Sequence, residues 1–172
     1  MKKVLQAEEK LTSAQINAIL GILIRQCNMI AQREKNDKAH FPELYDEDYM
    51  RGRKHSYTAS VLAGFQENAD IPDMIVRKHA YGINHWQPEL VSESAVVQIY
   101  SNNASLNIKE IKQKCSEHNI PDSQTEFIVF QFSLNSEGYL EKVDIVKFDN
   151  QANVLSRQQI FKREGKVTQL SA

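Results

Sequence analysis

The chain has 172 residues, 41% of them hydrophobic and 25% charged, proportions that suit one globular domain and argue against wholesale disorder. Its 21 Lys and Arg nearly cancel 22 Asp and Glu, for a formal net charge of −1. Attraction to nucleic acid or to an anionic membrane must therefore come from a local patch, not from the whole-chain field.

The N-terminal MKKVLQAEEKL opens with the paired lysines Lys2 and Lys3 of a secretory signal but lacks its apolar core. No apolar run approaches the roughly 18 residues that span a bilayer. Two cysteines, Cys27 and Cys115, make no disulfide framework. The expectation is a reduced, cytoplasmic protein without membrane contact.

Leu11-Thr12-Ser13-Ala14-Gln15-Ile16 has the spacing of a capping box, with Thr12 as N-cap, Gln15 reaching back to it, and Leu11 stapled onto Ile16. The helix that follows carries Ile16, Ile19, Leu20, Leu23, Ile24, Cys27, Ile30 and Ala31 on a stripe roughly 140° wide. Gln15, Asn17, Arg25, Gln26, Asn28, Gln32 and Arg33 form the opposite, polar face. Gly21 costs about 1 kcal/mol against Ala in a helix interior, a loss that close approach by another element would explain.

From Asn36 to Arg53 the chain reads as a polar connection. Pro42 biases Phe41 away from helix, a helical turn can start after it, and Phe41, Tyr45 and Tyr49 recur at a spacing that packs on a core. Ser56–Asn68 is helix-like, with Tyr57, Val61, Leu62 and Phe65 on one side.

Met74–Tyr81 mixes β-branched and basic residues and is expected to be a strand. Gly82–Leu90, with Trp86 and Pro88, reads as a loop, and Ala95–Tyr100 as a buried strand. A short helix spans Asn107–His118. Glu126–Leu134 alternates, with Ile128, Phe130, Phe132 and Leu134 on one face and Phe127 and Val129 on the other. Tyr139–Phe148 and Val154–Phe161 complete an antiparallel meander. Broken alternation at Val143–Val146 points to a bulge or to burial on both faces. The fold class is α+β: a long N-terminal helix and one or two shorter ones on a mainly antiparallel sheet of about five strands. Residues 1–162 form the domain, and 163–172 a flexible C-terminal tail.

Signatures of catalysis are sparse. The sequence has no G-x-G and no G-K-[ST] phosphate loop, and no G-x-S-x-G elbow. Its five histidines, His40, His55, His79, His85 and His118, lack metal-ligand spacing. Glu110-Ile111-Lys112 falls on the predicted helix, and Asp144 and Lys147 point to opposite faces of a strand. The acidic run Glu43, Asp46, Glu47, Asp48 reads as a solvated loop. No catalytic residue, cofactor or metal is assigned.

One echo stands out: Arg-Lys-His occurs at 53–55 and again at 77–79, each followed two residues on by a tyrosine. Arg51, Arg53, Lys54 and His55 precede the second helix, whose N-terminus carries about half a positive charge and so disfavours cations. Carboxylates at 46–48 or an external phosphate would answer them. Arg77, Lys78 and His79 add a second cationic group, and Tyr57, Tyr81 and Trp86 are aromatics suited to stacking bases. A solvated basic surface competes with this reading. The functional expectation is a small binding module contacting nucleic acid or another polyanion. The alternatives are a protein-interaction or inhibitory module, perhaps homodimeric, that uses the sheet face or a free meander edge, and a phosphodiester hydrolase.

Overall fold

A computed structural model describes residues 10–44, 63–65, 70–80, 86–101, 109, 112–113, 126–149 and 151–164, with residues 44, 78–80, 86 and 87 described by their backbone only. Helix α1 spans Ser13–His40. Its capping box forms as the spacing dictates: the Gln15 amide donates to Thr12 Oγ1 at 3.1 Å, and the Thr12 amide donates to Gln15 Oε1 at 3.0 Å.

Gln15, expected on the polar face, is instead buried, and its Nε2 donates to the Pro72 carbonyl at 3.0 Å. The buried positions 15, 19, 23, 27 and 31 form an i, i+4 row, with Ile22 beside it. Such a row is inclined by about 26° to the helix axis, so the buried face winds around α1 from Gln15 in its first turn to Ala31.

The helix also outlasts its apolar stripe. Residues 36–40, expected in a connection, are helical, with Gln32 Nε2 donating to Asn36 Oδ1 at 3.2 Å and His40 Nδ1 lying 2.8 Å from the Asn36 carbonyl. Lys38 and His40 in the last turn also suit the negative end of the helix dipole. Pro42 ends it, and a 3₁₀ turn follows at Pro42–Leu44. Phe41, expected on the core, is 53% exposed; Tyr45 and Tyr49 lie outside the described residues. Among the described residues a Cβ on Gly21 would meet Arg25 Nη1, at 3.5 Å, and no other element approaches that glycine. A close approach is found instead at Gly64, where an added Cβ would collide with the Gln26 side chain.

Among the described residues six strands form one sheet in sequence order: β1 Ile75–Ala80, β2 Trp86–Val91, β3 Ala95–Ser101, β4 Glu126–Leu134, β5 Leu140–Phe148 and β6 Val154–Lys162. All neighbours are antiparallel except β3 and β4, which run parallel. The class is α+β as expected, with six strands where about five were expected. The extra strand is β2, most of which falls in the Gly82–Leu90 stretch expected to be a loop, and it contains Pro88. Its pairing with β3 ends at Glu89, one residue past that proline, which brings no N–H to a ladder.

The alternation in β4 divides the core. Ile128, Phe130 and Phe132 join Ile19, Leu23, Cys27, Val97, Val143 and Ile145 on the α1 side. Phe127 and Val129 join Val96, Val146 and Phe148 on the opposite face. Val143–Val146 are all buried, so burial on both faces accounts for that broken alternation; the register shifts at Val143/Asp144 and Lys147/Phe148 leave their extra residues on β6, not on β5.

Side-chain caps shape both meander turns. Asn135 Oδ1 accepts from the amides of Glu137 and Tyr139, and Gly138 takes a left-handed φ of 85° facing Ala31 and Glu34 of α1. Asp149 Oδ1 accepts from the amides of Gln151 and Asn153. No described helix is long and apolar enough to cross a membrane.

Candidate functional site

Arg51, Arg53, Lys54, His55, Tyr57 and Tyr81 lie outside the described residues. Lys78 and His79 sit in β1 opposite Pro88 and Gln87, and Trp86 opens β2 opposite Ala80.

Arg77 stands opposite Glu89, and its Nε donates to Glu89 Oε1 at 2.7 Å. The carboxylate is fully buried while the arginine side chain is 44% exposed. Gln98 Nε2 donates to Glu89 Oε2 at 2.8 Å, and Tyr100 donates its hydroxyl to Gln98 Oε1 at 2.9 Å. A polar chain thus crosses β1, β2 and β3 on the face away from α1. A buried carboxylate needs charge-assisted partners, and Arg77 serves that need. The second basic triplet also lies on an end strand of the sheet, where lysine and arginine deter stray pairing.

The other end strand is β6. Residues 154–159 are all exposed, with Val154 at 58% and Leu155 at 59%. Alternate side chains of a strand point to opposite faces, so both faces of this stretch are open. Among the described strands β6 pairs only with β5. Its two register shifts leave Leu155 and Ile160 as extra residues, between which Ser156, Arg157, Gln158 and Gln159 pair regularly with Lys147, Val146, Ile145 and Asp144.

Basic side chains border this run. Arg157 Nη1 donates to Asp144 Oδ2 at 3.1 Å and to Gln131 Oε1 at 3.0 Å. Lys142 Nζ lies 2.9 Å from the same Asp144 oxygen. Lys162 is directly opposite Lys142, a like-charge cross-strand pair that opposes folding unless a counter-charge is near. Lys147 turns to the other face, 3.5 Å from Glu126, as strand alternation from Asp144 requires.

Just past β6, Arg163 ties the edge to α1. Its amide donates to the Glu141 carbonyl at 2.7 Å, Nε to the Leu140 carbonyl at 2.9 Å, and Nη2 to Asn28 Oδ1 at 3.0 Å. The guanidinium also lies over the Tyr139 ring, 5.1 Å from its centroid. These bonds place Arg163, the first residue of the expected tail, against β5 and α1.

Sequence reasoning missed Glu89, Lys142, Arg157 and Lys162. Lys142 and Asp144 are legible as an i, i+2 pair on one strand face. Nothing local signals Arg157 or Lys162, because bulged register alone brings them to that face. Among the described residues no group of three or more His, Cys, Asp or Glu could hold a metal ion. No family model, curated protein or solved structure matches the chain.

Proposed function

We propose that the chain is a protein-binding module that takes up an extended segment of a partner along the open edge of β6. The observation that carries this reading is the run of exposed residues 154–159 on an end strand, with the adjacent apolar side chains of Val154 and Leu155 turned to solvent. An added strand gains main-chain hydrogen bonds for affinity and side-chain contacts on alternate positions for selectivity. The bulges at Leu155 and Ile160 limit regular pairing to a short stretch, which favours a short peptide over open-ended sheet growth.

The test is a titration of labelled protein with extended peptides selected from a random library. Expected are backbone amide shifts in Val154–Lys162 and in the facing β5 residues, lost when alternate amides of the peptide are N-methylated. Binding that survives N-methylation, or that maps to β1, overturns the proposal.

The polyanion reading of residues 51–86 ranks second, because Arg77 is already engaged by Glu89. It predicts affinity for short oligonucleotides that falls steeply with salt.

A further inference from the structure

Granting that the β6 edge is the binding surface, we infer that its occupant is an acidic extended segment of a different protein, and not a second copy of this chain. β6 reads VLSRQQIFK and contains no acidic residue. Arg157 and Lys162 on this strand and Lys142 on its neighbour share one sheet face. The Lys142–Lys162 register and the bonds of Lys142 and Arg157 to Asp144 place them there. Two of these cations already divide a single carboxylate oxygen between them, each at about 3 Å.

This arrangement leaves positive charge beside the open edge, where the side chains of an added strand would lie. Glutamate or aspartate at alternate positions of that strand reaches Arg157 and Lys162 at cross-strand distance. A second β6 brings another Arg157 and Lys162 with no acid among its nine residues, so self-pairing sets cation against cation. Charge therefore selects the partner and opposes the homodimer.

Three probes test this at low ionic strength: a peptide alternating Val with Glu, the same peptide with Lys for Glu, and a short oligothymidylate. The acidic peptide is expected to bind at residues 154–162 more tightly than its lysine counterpart, with the difference shrinking as salt rises. Lys162→Glu gives Lys142 an opposite charge across the strand pair, so it should fold, and it should weaken the acidic peptide about two- to five-fold. Arg157→Gln, which retains a donor for Asp144, should do the same.

Equal binding of both peptides leaves the β6 edge as the site and overturns the acidic preference alone. Absence of peptide shifts in β6 removes both proposals. Oligothymidylate outcompeting the acidic peptide at Arg157 and Lys162, or a concentration-dependent dimer that Lys162→Glu disrupts, overturns the inference in favour of a polyanion or a second copy.

Discussion

Arg77→Ala tests the buried carboxylate most sharply. Glu89 has no solvent exposure and receives Arg77 Nε at 2.7 Å and Gln98 Nε2 at 2.8 Å. Removing one partner of a buried ion pair costs about 3–5 kcal/mol when the remaining charge is stranded. Two features reduce this value. Gln98 still donates to the carboxylate, and the 44% exposure of Arg77 lets water enter where the guanidinium stood. A loss of about 2–3 kcal/mol is expected, within the range for a hydrogen bond to a charged group.

With a urea m value of about 2 kcal/mol/M, that loss lowers the midpoint by about 1–1.5 M. The assay is equilibrium urea unfolding of wild type, Arg77→Ala, Glu89→Gln and the double variant. Glu89→Gln removes the stranded charge, so the double variant should be more stable than the sum of the single losses implies, with coupling of about 1 kcal/mol or more. A midpoint for Arg77→Ala within about 0.3 M of wild type would refute the reasoning. If the same variant then lost affinity for oligonucleotide, Arg77 would serve a ligand and not Glu89.

Three further outcomes follow from particular contacts. Thr12→Ala removes the cap from α1 and should cost about 1 kcal/mol. Gln15→Ala should cost more, because it also breaks the part-buried bond to the Pro72 carbonyl; thermal or urea unfolding ranks the two. Gly64→Ala drives a methyl into the Gln26 side chain and should cost about 1–3 kcal/mol, much of it recovered in Gly64→Ala/Gln26→Ala. The Asn153 side chain, and then the backbone amides of Asn153 and Gln151, hold the Asp149 carboxyl below its ordinary value of 3.8. Stability from that charge is present above the unfolded value and is lost as pH falls through the lower folded value. Asp149→Asn should therefore melt below wild type at neutral pH, and the gap should close in strong acid; a gap that persists there rules out the charge as its cause.

Legibility in the sequence followed the range of the interaction. The Thr12–Gln15 box rests on three-residue spacing, and the two faces of Glu126–Leu134 rest on a period of two, so both stood in the local pattern. The meander turns at Asn135–Gly138 and Asp149–Asn153 were equally local. Such features are fixed by chain geometry and side-chain type over a few residues.

The burial of Gln15 depends on the Pro72 carbonyl, 57 residues away in the chain. Strand β2 was hidden by Pro88, whose missing donor matters only once β3 is known to pair no further than Glu89. The candidate site was the least legible of all. Arg77 was noticed for its charge, but its meaning depends on a carboxylate 12 residues away. Arg157 and Lys162 reach the face of Lys142 and Asp144 only through two bulges. Charge neutralisation and edge exposure belong to register between distant segments, which nearest-neighbour chemistry does not encode. Local pattern therefore fixed most elements and their apolar faces, while long-range register set which charges are answered and which of the described strands ends the sheet.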